Sequence, residues 1–346
     1  MRHSRRNYAE KNGLEPRFHV SAKQTSQGSM SRFDEEQDLV QASIRTLPDW
    51  QERAVVAEPA LPVLASPSWR GVDGSPWRVR DKANGETLFV KLMDPDAVFY
   101  IDLACAFEAA QRASDLGIGP RVLKADVASG MLVMEDLDEG WRVGTLDRLL
   151  DPAIVDRIFA ARHRFQDGPP LPRTASVFDE IERFHADAIA ANAVLPSDAG
   201  WLLAELQLAA EAIRALAAKA VPVHGDGNIS NVLISDAGEV RLVDWDRAAN
   251  ADPLEDLGSF LVEAFDEAPE ARDAFARMTG SFDERAFNRA WLYGIADDLR
   301  WGLIGALVAA KSSRDTYEFY KFASWRFLRC RMALREPRFG EALRRI

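Results

Sequence analysis

The alternation of hydrophobic and polar positions changes its period near residue 140. Before that point, short apolar runs of β-type residues alternate with turn signals. The clearest pair is WRVR and TLFVKL, which the Asn-Gly tip of KANGE joins into a predicted hairpin. MLVMEDL, residues 131–137, predicts a further strand. The helical pattern AVFYIDLACAFEAAQRASDLG precedes it and stops at Gly117. This part of the chain therefore predicts a small, mostly antiparallel sheet with one helix.

A helix is also predicted just before the strands, over FDEEQDLVQASIRTL, residues 33–47. Its apolar positions recur at helical spacing. They are Phe33, Leu39, Val40, Ile44 and Leu47. These side chains are expected to share one face of the helix.

Beyond residue 138 the apolar positions recur every three or four residues, which is typical of amphipathic helices. VHGDGNISNVLI and EVRLVDWD interrupt the helices as two short strands around a polar loop and an SDAGE turn. The pattern predicts an α+β fold with a sheet-rich N-lobe, residues 33–137, and a helical C-lobe, residues 138–346. Residues 1–32 are polar and basic, with no apolar segment, and predict a disordered arm.

Charge and cysteine usage exclude some classes of function. The 346 residues carry a formal net charge of -11, which argues against nucleic acid as a main partner and suits a small cationic substrate. Cys105 and Cys330 form no CxxC pair, which argues against a zinc site and fits a reducing, cytoplasmic location. The longest apolar run, residues 301–310, is about half the length that a bilayer requires, so no membrane span is expected.

The stretch HGDGNISN, followed by DWD, carries the candidate chemistry. A hairpin-like return of the two short strands brings Asp244 next to Asn231, and their oxygens suit Mg²⁺ bound with phosphates. Asp226 then remains free to face a hydroxyl group and accept its proton. Since the chain has no GxxxxGK[ST] motif, this arrangement predicts phosphoryl transfer without a P-loop.

A kinase-like mechanism also requires a lysine on an N-lobe strand and a glutamate on the following helix. Lys91 lies within the otherwise apolar strand LFVKLM, and Glu108 lies within the helix that follows. We therefore expect Lys91 to reach nucleotide phosphates and to pair with Glu108. The place of a glycine-rich loop is taken by SPSWRGVDGSP, residues 66–76, which has no clean GxGxxG.

These motifs resemble the aminoglycoside phosphotransferase and choline/ethanolamine kinase superfamily. The resemblance rests on VHGDGNISN, LVDWD, ADPLEDLG, LGIGPRVL and MLVMEDLDEG, and covers roughly residues 35–335. It implies a protein-kinase-like bilobal fold that binds ATP and Mg²⁺. It implies that Asp226 is the catalytic base and that Asn231 and Asp244 are the metal ligands. Lys91 would contact the nucleotide phosphates with Glu108 as the partner of Lys91, and the backbone from Glu135 to Leu137 would form the adenine site. His224 and Asp256 would support the catalytic loop.

The acceptor is predicted from the C-terminal helices, which resemble the choline/ethanolamine kinase branch. That resemblance implies an ammonium pocket formed by Glu263, Trp301 and Phe322, since aromatic faces and a carboxylate hold a cation that cannot donate hydrogen bonds. Ile304 stands where the branch has a second tryptophan. The substrate expected is a small, cationic amino alcohol. The alternatives are a kinase of another hydroxyl compound (thiamine, an aminoglycoside or a sugar) and a nucleotide-binding protein with little turnover.

Overall fold

The computed structural model describes residues 32–216, 218–265 and 268–346. Its α-helices are α1 (Arg32–Ile44), α2 (Leu103–Asp115), α3 (Pro152–Gln166), α4 (Val177–Ala190), α5 (Ala199–Arg214), α6 (Pro253–Ala264), α7 (Ala268–Thr279), α8 (Glu284–Lys311), α9 (Phe319–Arg335) and α10 (Pro337–Arg344). Its strands are β1 (Val55–Pro59), β2 (Gly74–Asp81), β3 (Thr87–Met93), β4 (Val122–Asp126), β5 (Met131–Glu135), β6 (Trp141–Val143), β7 (Val221–Val223), β8 (Val232–Ser235), β9 (Val240–Leu242) and β10 (Ala249–Ala251). All but the last residue of the predicted N-terminal arm lies outside the described residues, and Arg32 begins α1.

A five-stranded sheet with the order β1-β2-β3-β5-β4 forms the first part of the molecule, and every neighbouring pair is antiparallel. The predicted hairpin is confirmed, because β2 and β3 pair up to Arg80 and Thr87 around the Asn-Gly turn. Gly85 has a φ of +78°, a conformation that glycine adopts without steric cost. The register places Lys91 in the middle of the sheet, opposite Leu132 of β5.

Both helices predicted for the N-terminal part of the chain are present. They differ from the prediction in the width of the buried face of α1 and in the first residue of α2. In α1, Val40 and Ile44 are fully buried, but Phe33 and Leu39 are 46% and 56% exposed, so the buried face is narrower than predicted. Helix α2 starts only at Leu103, because the Asp102 carboxylate caps it by accepting from the amide of Cys105 at 3.1 Å.

The helical part is organised around α8, whose central residues are almost all buried. Helices α4, α6 and α9 pack against it. The apolar run 301–310 lies within α8, and no helix among the described residues is long and apolar enough to span a bilayer. Two small sheets, β6-β8-β9 and β7-β10, lie in this part. The α+β class, with an antiparallel sheet beside a larger helical part, is confirmed.

Candidate active site

A cleft of about 310 Å³ lies where the five-stranded sheet meets the small β6-β8-β9 sheet. Phe89 and Lys91 of β3 line one wall, and Leu233 and Val243 line the other. Residues 135–138, at the end of β5 and directly after it, also line the cleft, and they include Glu135 and Leu137 of the expected adenine site.

The loop 224–231 holds Asp226 in a fixed position beside the cleft. One carboxylate oxygen of Asp226 accepts from the amide of Asn228 at 2.8 Å, and the other accepts from Nδ2 of Asn231 at 3.0 Å. Asp226 is only 7% exposed. Burial, reinforced by the neighbouring Asp244 and Asp297 carboxylates, raises the pKa of Asp226 to about 7. A carboxyl with such a pKa is suited to proton transfer near neutral pH.

Buried side chains hold the backbone of this loop from below. Asp256 accepts from the amide of Gly225 at 2.9 Å and from Arg162 at 2.7 Å, and Arg162 also donates to the carbonyl of Asp226. Nε2 of His224 lies 2.9 Å from the carbonyl oxygen of Val243. Burial, with the nearby Arg162 charge, lowers the pKa of His224 to about 4, so the ring is neutral at pH 7 and donates this hydrogen bond. These contacts agree with the supporting roles expected of His224 and Asp256.

Asn231 and Asp244 come together because β8 and β9 form the expected short return. The amide of Val243 donates to the carbonyl of Asn231 at 2.9 Å, which places Asp244 beside Asn231. Asp244 has a φ of +65°, an uncommon conformation for a residue with a side chain. Both residues line the cleft. Since Asn231 uses its Nδ2 toward Asp226, its amide oxygen and the Asp244 carboxylate form an oxygen donor set that fits Mg²⁺.

Lys91 reaches this donor set from the sheet. Its Nζ lies 2.8 Å from Asp244 and 2.6 Å from Asp246. Burial alone would lower the pKa of Lys91, but the two carboxylates raise it above its ordinary value, so the ammonium stays charged. Burial raises the pKa of Asp246, whereas Lys91 outweighs burial at Asp244 and lowers its pKa.

The expected pair of Lys91 with Glu108 is wrong. Glu108 accepts from Arg112 at 3.1 Å on the exposed face of α2. The face of α2 that borders the pocket around Lys91 instead presents Ala106, Phe107 and Ala110. Position 108 is opposite to position 110 on a helix, so its carboxylate points away from Lys91. Asp246 of the DWD motif is the counter-ion in its place.

The expected ammonium pocket does not open into the cleft. Trp301 and Phe322 are 4% and 1% exposed and do not line it. Glu263 accepts from Arg326 at 3.2 Å and from Arg329 at 3.0 Å. The charge of Glu263 is therefore compensated within the protein. The structure does not support the prediction that Glu263, Trp301 and Phe322 surround a substrate cation.

Asp73 and Trp69 are cleft residues with polar contacts at the site that the sequence analysis did not single out. Asp73 lies in the segment that replaces a glycine-rich loop, and its carboxylate comes within 4.8 Å of those of Asp244 and Asp246. Trp69 lines the same cleft, and its Nε1 donates to Asp73 at 2.8 Å. The sequence signal nearest to them is Gly74, the first residue of β2, where a Cβ would lie 2.5 Å from the carbonyl of Leu92 in β3.

Comparison with known proteins agrees with this geometry. The model of the phosphotransferase enzyme family (APH) matches residues 65–292. No curated protein matches the sequence significantly.

Solved structures show the same fold. A choline/ethanolamine kinase family protein from Mesorhizobium loti is similar with a TM-score of 0.71 at 22% identity, over 88% of this chain and 97% of the other. The choline kinase LicA from Streptococcus pneumoniae, also solved with AMP, is similar with a TM-score of 0.69 at 15% identity, over 87% and 99%. A putative aminoglycoside phosphotransferase from Ralstonia eutropha has a TM-score of 0.55 at 15% identity, over 89% and 98%.

These likenesses confirm the kinase-like bilobal fold, and the family match covers about two thirds of the sequence. The chain therefore belongs to the phosphotransferase enzyme family, and the prediction of a small-molecule kinase is confirmed.

Proposed function

We propose that this kinase transfers the γ-phosphoryl group of ATP to the hydroxyl of a small, cationic amino alcohol. The observation that carries the proposal is the convergence of Asp226, Asn231, Asp244 and Lys91 at one end of the cleft. Phosphoryl transfer depends mainly on positioning and charge stabilisation, and these four side chains offer both.

Each of the four has a distinct role in the proposal. Asp226 orients the acceptor hydroxyl and takes its proton as the oxygen bonds to phosphorus. Lys91 faces the phosphates and offsets the negative charge that remains on the departing ADP. Asn231 and Asp244 would hold Mg²⁺, which supplies further neutralisation of phosphate charge. The backbone from Glu135 to Leu137 would receive the adenine.

The charge around Asp226 favours a cationic acceptor. Burial raises the pKa of Asp226 most, and the neighbouring Asp244 and Asp297 carboxylates raise it further although Arg300 opposes them. Two carboxylates this close to the base would attract an ammonium group on the acceptor. Thiamine, aminoglycosides and sugars are the other hydroxyl compounds that the same machinery could phosphorylate.

ADP release over a panel of hydroxyl compounds tests the proposal. The panel contains ethanolamine, choline, thiamine, kanamycin and glucose, each with Mg²⁺ and ATP. Asp226→Asn should lower kcat by about 10³-fold, because it removes the proton acceptor, and should leave the ATP KM nearly unchanged. Asp236→Asn is the matched control, since Asp236 lies in the exposed turn between β8 and β9.

Equal rates from wild type and Asp226→Asn would overturn the role of Asp226. Binding of Mg²⁺ and ATP in a thermal-shift assay, without ADP release on any hydroxyl, would instead indicate a nucleotide-binding protein with little turnover.

A further inference from the structure

We infer that Trp69 closes the acceptor side of this site, so that an acceptor hydroxyl reaches Asp226 only after the Trp69 ring has moved away. The inference rests on the proposed function, because it concerns how the acceptor meets the base. Trp69 is then a residue that selects acceptors by size.

Trp69 is the part of the cleft lining that contacts the catalytic loop through its backbone carbonyl. Trp69, Asn231 and Asp244 all contribute to its lining, whereas Asp226 is not among the described residues that do so. Asp226 is nevertheless within hydrogen-bonding distance of Asn231. The base therefore lies next to the cleft but outside its lining, and it is only 7% exposed.

The Trp69 ring sits among aromatic side chains of the helical part. Its centroid lies 4.7 Å from that of Phe322, 5.7 Å from that of Phe319 and 5.8 Å from that of Trp301. The ring is carried by the segment between β1 and β2, so one lobe supplies the ring and the other supplies its surroundings. Its backbone carbonyl also accepts a weak hydrogen bond from Asn228 of the catalytic loop at 3.4 Å. Trp69 thus covers the approach to the base.

Apart from one backbone hydrogen bond at each of its two ends, the segment that carries Trp69 is held by few backbone contacts. Leu64 and Arg70 exchange two hydrogen bonds of 2.9 and 2.8 Å, and these form an isolated bridge outside the sheet. Arg314, from the loop between α8 and α9, donates to the carbonyl of Val72 at 2.8 Å. Segments with few backbone contacts open at lower free energy than the sheet, so we expect the ring to withdraw, with loss of its 2.8 Å hydrogen bond to Asp73, while β2 and β3 stay paired.

Removal of the ring should ease acceptor binding. A ligand that binds only the open form has its apparent affinity reduced by the fraction of molecules that are open. If the closed form is favoured tenfold, Trp69→Ala should lower the acceptor KM by about tenfold. The KM for ATP should stay the same, because the nucleotide occupies the part of the cleft that is already open. Larger members of the panel should gain most.

Steady-state kinetics with three variants test this effect. Trp69→Ala removes the ring, Trp69→Phe retains a smaller one, and Trp50→Ala is the control for loss of a buried tryptophan, since Trp50 is 2% exposed in the separate core of the sheet. The acceptor KM should fall in the order wild type, Trp69→Phe, Trp69→Ala, and Trp50→Ala should match wild type. A higher or unchanged acceptor KM for Trp69→Ala would overturn the inference and leave the proposed function intact.

Exchange of the indole N–H protons gives a readout that needs no substrate. Trp69 and Trp50 are both at most 5% exposed, and substitution to phenylalanine assigns their signals in NMR spectra. Opening predicts that the indole proton of Trp69 exchanges at least about tenfold faster than that of Trp50. Equal or slower exchange at Trp69 would overturn the inference. If wild type shows no turnover with any hydroxyl, the proposed function fails, and the exchange rates still decide whether Trp69 opens.

Discussion

The two ends of the proposed active site differ in their balance of charge. At the nucleotide end, the Asp244 and Asp246 carboxylates face the single ammonium of Lys91 in the cleft, so negative charge is in excess. At the expected acceptor end, where the sequence predicts an ammonium pocket, Glu263 is paired with Arg326 and Arg329.

Aromatic rings pack around Trp69 next to the expected acceptor end. The excess carboxylates at the nucleotide end suit a bound metal ion, as the proposed function requires, whereas the charge of Glu263 is already compensated by the protein. The comparison therefore favours our two proposals, in which the groups for phosphoryl transfer are already in place and acceptor binding depends on movement of Trp69.

Loss of a metal ligand should have the largest effect on the nucleotide end. Asp244→Ala removes a carboxylate that faces both Lys91 and the proposed Mg²⁺ site. We expect kcat to fall by roughly 10³-fold, with a higher Mg²⁺ concentration needed for half-maximal rate, because fixed charge stabilisation is lost. A Mg²⁺ titration of the initial rate measures both values, and Asp236→Ala is the control. An unchanged Mg²⁺ requirement would remove Asp244 from the metal site.

The buried ion pairs of Glu180, which support the catalytic loop, should make the stability of the protein depend on pH. Glu180 of α4 is 5% exposed, forms ion pairs with Arg173 and Arg247, and lies 2.9 Å from Arg300. Arg300 in turn donates to the carbonyl of Gly225 in the catalytic loop. Burial would raise the pKa of Glu180, but the arginines lower it from 4.5 to about 2.

A carboxyl group whose pKa is lower in the folded state stabilises the protein fully above its unfolded pKa. That stability is lost as the pH falls toward the folded value, here between about 4.5 and 2, and linkage makes it about 3 kcal/mol. Urea unfolding at pH 7, 4.5 and 2.5 measures it. Glu180→Gln should show less loss over this window than wild type, and the exposed Glu182→Gln should behave as wild type. The same loss in Glu180→Gln as in wild type would contradict this assignment.

Substitutions of Asp246 and Glu108 should show which of these two carboxylates is the counter-ion of Lys91. Asp246→Asn leaves the ammonium with one carboxylate partner and a changed position, so kcat/KM for ATP should fall by about 10²-fold. Glu108→Gln should change it by less than about twofold, since exposed pairs such as Glu108–Arg112 contribute little. Steady-state kinetics at varied ATP decide between them. The reverse ranking would restore Glu108 as the partner of Lys91.

The smallest effect is expected from Glu263 at the acceptor end. Because two arginines compensate this carboxylate, Glu263→Gln should change the ratio of kcat/KM between choline and glucose by less than about twofold. A selective rise in KM for choline would show that Glu263 contacts the substrate cation after all. Competition between the two acceptors in one reaction measures this ratio.

Local sequence patterns predicted that Asp226, Asn231 and Asp244 come close together, because these residues are near one another along the chain. Asp226 and Asn231 lie on one loop, and a single strand return brings Asp244 beside them. The alternating pattern of LFVKLM likewise places Lys91 in the sheet.

The remaining features depend on contacts between distant segments. The rotation of α2 decides which way Glu108 points, and the apolar spacing did not resolve it. Trp69 is more than two hundred residues from Trp301 and Phe322, so nothing in their local patterns indicates that they pack together. The partners of Glu263 likewise lie on another helix, which explains why a carboxylate that appeared available is paired.

Detection of the phosphorylated product tests the central claim most directly. A ³¹P NMR spectrum of the protein with Mg²⁺, ATP and the panel of hydroxyl compounds should show a new phosphomonoester signal that grows with ADP. The Asp226→Asn protein should form this ester about 10³-fold more slowly. The same rate of ester formation by both proteins, or the appearance of inorganic phosphate alone, would contradict the account.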